Sequence, residues 1–147
     1  MNYEKVWRKV LNRDEEIKYE FSIANRYRKF VLIMWTIISI PLLFAFGLGL
    51  LTFAIALFAW YYMKVAHAYA FTNKRVLVHT GWLSTQTISI DYDKITDVTV
   101  KENVIDRVVT KSGMLSINTA GTANQEVMLK NIDSPYEVKK RLDALRG

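Results

Sequence analysis

The chain has 147 residues, enough for one modest domain, with a net charge of +6 and 51% hydrophobic residues. It contains no cysteine, which excludes disulfides, thiolate chemistry and cysteine-ligated zinc, and only two histidines remain for metal or acid–base work. Residues 1–29 hold eight Lys/Arg against five Asp/Glu and residues 64–147 hold twelve against nine, so the basic excess is spread over both flanks and does not form the single stripe of a nucleic-acid protein.

In chain order, Tyr3, Val6, Trp7, Val10 and Leu11 recur at helical spacing among Lys5, Arg8, Lys9 and Arg13, which predicts a short amphipathic helix. Such a helix lies either on anionic lipid or against the protein's own domain; one short helix does not separate the two. After Asp14-Glu15-Glu16, Ile17, Tyr19, Phe21 and Ile23 alternate with Lys18, Glu20 and Ser22, the pattern of a half-buried strand. An isolated strand is not stable. Its nearest partner sheet lies beyond the uncharged run, so residues 1–29 are expected to join the soluble domain formed after that run.

No charged residue or histidine occurs from Phe30 to Met63. As one helix this run rises about 51 Å against a hydrocarbon core of about 30 Å, so length alone allows one tilted span or a hairpin over 30–66 turning near 47–49. Positive charge flanks both ends (Arg26, Arg28 and Lys29 before, Lys64, Lys74 and Arg75 after), which favours a hairpin with both termini in the cytoplasm. Folding at Gly47 and Gly49 would bring Trp35 and Trp60, with Tyr61 and Tyr62, to one membrane interface, and glycine can supply the backbone angles of the reversal. Pro41 is expected to kink the first arm, and Thr36, Ser39 and Thr52 to satisfy local backbone groups. Without ionisable groups in the run, a transporter acting alone is disfavoured.

From Tyr69 onward the pattern is strand-like: 69–72, 75–80, 86–91, 95–101, 114–119 and 126–131, with turn signals between and room for one helical turn over 104–109. Close-set short strands predict an antiparallel meander curling into a barrel or sandwich. Ser134-Pro135-Tyr136-Glu137 then places a capping serine, a first-turn proline and a glutamate, with Tyr136 packing at the start and Val138, Leu142 and Leu145 forming one apolar stripe. The expected architecture is a membrane helical hairpin followed by an all-β domain over 67–147, closed by a helix over 135–146.

The chain resembles bacterial membrane proteins in which two transmembrane helices precede a pleckstrin-homology-like (PH-like) domain. The residues that carry the likeness are Tyr69 to Thr72, Arg75, Gly81-Trp82-Leu83, Lys94-Ile95-Thr96-Asp97-Val98, Arg107 and Thr119-Ala120-Gly121; Lys111-Ser112-Gly113 departs from a more glycine-rich turn. The resemblance implies a seven-stranded barrel-like domain capped by a helix and tethered to the inner membrane. It implies no common ligand, since fold does not give function.

Among candidate sites, Asp91, Asp93, Asp97 and Glu102 fall at calcium-loop spacing, but Thr96 stands where that loop needs glycine and the segment alternates as a strand. A surface hairpin is expected there, with Asp97 bonded to backbone or an arginine. His67 and His79 lack ligand partners at zinc spacing, and no nucleophile elbow, Ser-x-x-Lys or phosphate loop occurs. No catalytic, cofactor or metal residue is therefore assigned, and no enzyme is expected. If the first strand after the run leads away from the bilayer, alternate connections return to it, at 80–85 and 102–113. They carry Trp82, Leu83, Arg107 and Lys111, a set suited to a lipid interface. The plainer alternative, which strand tilt favours, has Trp82 closing the barrel end and Arg107 paired with Asp97 or Asp106.

These features point to a non-enzymatic, membrane-anchored interaction module that binds a protein partner or assembles with its own copies through edge strands or the 121–124 loop. The alternatives are anionic-lipid sensing through Trp82, Arg107, Lys111 and the N-terminal helix, or an accessory subunit of a membrane transport or envelope-stress system. Membrane lipid is an expected partner and nucleic acid is not.

Overall fold

A computed structural model describes residues 3–43, 48–120 and 126–147. The glycine at 47 and the 121–124 loop lie outside the described residues. The elements run α1 (Glu4–Trp7), β1 (Ile17–Phe21), α2 (Asn25–Leu43), α3 (Leu48–Val65), β2 (His67–Thr72), β3 (Arg75–Thr80), β4 (Gln86–Asp91), β5 (Ile95–Lys101), β6 (Ser112–Thr119), β7 (Glu126–Asp133) and α4 (Pro135–Arg146). The strands form two antiparallel sheets, ordered β1-β2-β3-β4 and β5-β6-β7.

The alternating segment before the helices completes a sheet begun after them. β1 pairs antiparallel with β2, with Tyr19 opposite Phe71 and Phe21 opposite Tyr69. One face of the first sheet sends Tyr69, Phe71, Val76 and Val78 into the main core, where they meet Leu115, Ile117 and Leu129 of the second sheet and Val138 and Leu142 of α4. Half-buried Leu145 completes the α4 stripe. On the opposite face Ala68, Ala70 and Leu77 pack against Tyr3 and Trp7. That docking places Tyr3 and Trp7 of the N-terminal helix on the domain's own sheet, with Val6, Val10 and Leu11 half-buried beside them.

Beside this contact, Glu15 and Arg75 form a buried ion pair. Arg75 Nε–H and Nη2–H each donate to the Glu15 carboxylate at 2.8 Å, and the Thr72 hydroxyl donates to it at 2.8 Å. Arg75 Nη2 also reaches the Val10 carbonyl at 3.1 Å, which ties the N-terminal segment to the β2–β3 corner. The Glu15 side chain has 0% exposed surface. The Arg75 bonds hold its carboxyl down to about 2, against an ordinary value of 4.5.

Three local expectations change. Ser134 does not cap α4 through its side chain: it adopts a left-handed backbone (φ 47°), and its carbonyl accepts the Glu137 and Val138 N–H groups at 2.9 and 3.2 Å. The sharp turn from β7 into the helix takes that conformation and leaves the hydroxyl without a cap bond. Tyr136 points outward, because the α4 stripe begins at buried Pro135 and Val138. Gly49 lies within α3 and serves helix packing, as described below.

A group whose folded pKa is depressed contributes stability above its unfolded value and loses it as pH falls toward the folded value. The Glu15 contribution is therefore complete well above 4.5 and disappears as pH falls to about 2. Glu15→Gln is expected to destabilise the chain at pH 7 by about 3 kcal/mol, the scale of breaking a buried pair, and to flatten the acid limb. Unfolding of the full chain in mild detergent, followed from pH 7 to pH 2.5, checks both outcomes.

Candidate membrane interface

α2 and α3 form a hairpin that leaves the first sheet between β1 and β2. Its seam is built from small residues: Ser39, Gly49 and Ala56 are buried, whereas Ile33, Ile37, Ile40, Leu50, Leu51 and Phe58 are exposed. A Cβ on Gly49 would fall 2.5 Å from both the Leu43 nitrogen and the Ser39 carbonyl oxygen. The backbones thus approach to a distance only glycine allows. Across the seam Thr52 Oγ1 lies 2.9 Å from Ser39 Oγ, while Thr36 and Ser39 donate to carbonyls one turn back. Small residues with interhelical hydroxyl bonds are the way helices pair where no hydrophobic force separates them from their surroundings. α2 continues through Pro41 to Leu43, the last residue described on that arm.

α3 is long and apolar enough to cross a membrane, and it is the single such helix among the described residues. It is largely exposed, with 11% of its span buried. In α2 the first turns carry Arg26, Arg28 and Lys29, which shorten its uncharged length.

The four aromatic residues expected at one depth separate into groups. Trp60 stands beside Arg28, whose guanidinium carbon is 5.9 Å from the ring centre, and Lys64 Nζ is 5.7 Å from the same ring. Ser39 meets Thr52 further along, so Trp35 lies more than one turn, over roughly 5 Å, farther from the sheet than Trp60. The symmetric count from the glycines misplaced it because Gly49 is inside α3 and is not the midpoint of the two arms, as the Ser39–Thr52 contact shows. Tyr62 stacks on Phe58 at 6.4 Å.

Two connections bracket the base of the hairpin. In the β3–β4 loop, Trp82 meets Phe58 and Tyr61 of α3 edge-on, each at 6.3 Å. Trp82 therefore rests on the hairpin and does not close the end of the sheets. Gly81 makes this turn with φ 101°, where a side chain would collide with the Ser84 carbonyl. Next to it Leu83 is 91% exposed. In the β5–β6 connection, a wide helical turn over Asp106–Thr110 touches α2, and Val104, Ile105, Val108 and Val109 are exposed around it. Arg107 is exposed in that turn and Lys111 ends it in a left-handed conformation (φ 48°). Thus Trp82 and Leu83 stand on the α3 side, and Arg107 and Lys111 follow the turn on the α2 side. The apolar residues at 104, 105, 108 and 109 fall in the expected helical turn but were not expected at the interface; their helical spacing within a connection that returns to the hairpin was the available signal.

The remaining candidates are structural. Asp91 pairs with Lys94 at 3.1 Å, and Asp97 accepts the Thr99 hydroxyl at 3.1 Å, where backbone or arginine was expected. His79 Nδ1 lies 2.8 Å from Thr87 Oγ1. Burial, with Lys130 nearby, lowers the His67 pKa below its ordinary value. Among the described residues no three His, Asp or Glu side chains converge on one point.

Residues 22–146 match the family profile described as Bacterial PH domain. Two solved structures share the fold over 100% of this chain. One is a duf1696 family protein with a pleckstrin-homology domain from Shewanella loihica (12% identity, 99% of that chain, TM-score 0.54). The other is a pleckstrin homology domain from Shewanella amazonensis (13% identity, 90% of that chain, TM-score 0.56). No protein of curated function matches the sequence significantly.

If Gly49 sets the interhelical distance, Gly49→Ala forces the backbones apart at a cost of about 1–3 kcal/mol. Thr52→Val, which deletes one interhelical bond, costs about 0.6 kcal/mol. Thermal unfolding in detergent is expected to rank the two variants in that order below the parent chain.

Proposed function

The chain belongs to the bacterial PH domain family, a family of PH-like domains and not a known enzyme family, and from that premise we propose that it is a membrane-anchored interaction module. The observation that carries this reading is the apolar exterior of the hairpin. Ile37, Ile40, Leu50, Leu51 and Phe58 are all exposed on two paired helices, and a gathering of exposed large apolar side chains marks an interaction or membrane surface. In a bilayer that surface is solvated by lipid. Leu83 and the valines at 104, 108 and 109 then sit at the boundary, with Arg26, Lys29 and Arg107 among lipid phosphates. Both termini face the cytoplasm, and the domain stays against the inner leaflet.

What the anchored domain offers is the edge of β4. That strand ends its sheet and pairs only with β3 among the described residues, so its outer backbone groups suit an added strand from a protein partner or a second copy. Anchoring raises the local concentration, and modest affinity then suffices. Anionic-lipid sensing is the second reading, supported by the exposed Arg107 and Lys111 and by exposed Lys5 and Lys9 on the N-terminal segment.

Reporter fusions at Asn2 and Gly147 are expected to report the same face of the membrane; opposite faces would remove the reading. The chain has no cysteine of its own, so a single introduced thiol is a clean probe. With the full chain in vesicles, a polarity-sensitive dye on Leu83→Cys should report an apolar setting, and on Lys140→Cys an aqueous one. Equal, aqueous emission from both would refute the seating of the loop.

A further inference from the structure

A cavity of about 240 Å³ opens where the hairpin meets the first sheet, lined by Tyr3, Glu20, Phe21, Ser22, Arg28 and Lys64. It joins the first turn of α2 to the last turn of α3, so it lies at the level of the loops that bracket the hairpin. Two of its walls are cationic. Among the described residues neither cation forms an ion pair with a carboxylate: Glu20, also on the cavity wall, accepts the Trp7 indole N–H through one oxygen at 3.2 Å, so the lining carries two positive charges and one negative, and the Arg28 Nη2 bond goes to the neutral Asn25 amide oxygen at 3.3 Å. The Tyr3 and Ser22 hydroxyls donate to the Lys64 and His67 carbonyls, at 2.8 and 2.6 Å.

Two unsatisfied donors belong to the cavity wall, both on Arg28. Among the described residues, the buried side-chain polar atoms without a hydrogen-bond partner are Arg28 Nε and Nη1, Trp60 Nε1 and His67 Nδ1. Arg28 and Lys64 approach the same Trp60 ring, whereas Ser22 reaches only the His67 backbone carbonyl and not its Nδ1. A buried donor without an acceptor is costly, and more so when charged. Cation–π contact offsets part of that cost for Arg28 but supplies no acceptor for its N–H groups. The group that would answer both charges and the missing acceptors is a compact anion with several oxygens.

We propose that this junction binds a phosphate group, with Arg28 and Lys64 closing on it, and that its source is the headgroup of an anionic phospholipid. The choice of a lipid rests on the anchoring reading above; the phosphate chemistry does not. Arg28 supplies planar N–H donors, Lys64 a mobile point charge, and the Trp60 ring holds the two cations on one side of the cavity.

The test is a thermal-shift titration of the detergent-purified full chain. Phosphatidylglycerol is expected to raise the midpoint of the parent chain and of Lys140→Gln alike. Arg28→Gln and Lys64→Gln should each need about tenfold more lipid, and Lys64→Arg should recover most of the response. Inorganic phosphate forms a parallel arm: a shift with the same sensitivity to Arg28 and Lys64, with no response to phosphatidylglycerol, supports the phosphate site and assigns it to a free phosphate. Parent-like lipid and phosphate responses in both glutamine variants would overturn the proposal. Native mass spectrometry gives a check that needs no variant: preferential retention of phosphatidylglycerol over phosphatidylcholine supports the lipid-bound site, and equal retention counts against it. Vesicle flotation separates the two readings. A chain that does not float but responds to inorganic phosphate through Arg28 and Lys64 has lost its anchoring role and kept the site. A chain that floats while both glutamine variants respond like the parent has kept the anchor and lost the site.

Discussion

Pairing of β1 with β2 is the constraint from which the rest of the molecule follows. The two strands lie on either side of the helical hairpin in sequence, yet Phe21 faces Tyr69 across one ladder. Neighbouring strands are about 4.8 Å apart, so the two helices must start and finish together. Tyr19 and Phe21 also supply rings to the main core, in contact with Phe71 and Tyr69. The Glu15–Arg75 pair holds the far end of the same ladder. A hairpin closed at its base in this way can project from the domain in one direction only.

That direction sorts the connections. In an antiparallel meander successive turns fall at opposite ends of the strands. The β3–β4 loop and the wide turn before β6 therefore lie beside the hairpin, and the Asn73–Lys74 and Tyr92–Lys94 turns lie away from it. Composition follows position. The hairpin end exposes Leu83, Val104, Ile105, Val108 and Val109, while the far end carries Glu16, Lys18, Lys74, Asp91 and Lys94. Within the domain, one end suits an apolar boundary and the other suits water. The apolar end is the one from which the helices leave.

Much of this was legible in the sequence because it rests on short-range periodicity. Alternation located β1 before any partner was known, and the strands at 75–80, 86–91 and 95–101 match their predicted bounds. The outcome was different wherever the deciding contact was distant or conformational. Glu15 sits in an acidic triplet that looks like a solvated break, and its partner Arg75 is 60 residues away, so no local signal marks the pair. Gly49 is compatible with a turn and with a close helix crossing; the Ser39 backbone across the seam decides between them. Ser134 has the right residue type for a cap and the wrong backbone angles. Placing Trp82 at the hairpin end required only the meander's alternation, whereas its contact with α3 depends on how the helices leave the sheet.

The same geometry bears on what anchoring can achieve. A domain on a flexible tether gains local concentration but samples many orientations, and the orientational requirement of docking slows productive encounter. Here the link is short and braced. Ala66 alone separates α3 from β2, Trp82 braces one side of the hairpin against Phe58 and Tyr61, and the wide turn at 106–110 braces the other against α2. With the hairpin in a bilayer, as proposed, these braces would restrict the angle of the β4 edge to the membrane plane. Two such domains, or a domain and a membrane-bound partner, would then meet by lateral diffusion with their edges already aligned. Preorganisation of that kind lowers the cost of association without adding a contact, which suits a fold whose exposed edge is short and whose strongest fixed interactions are internal.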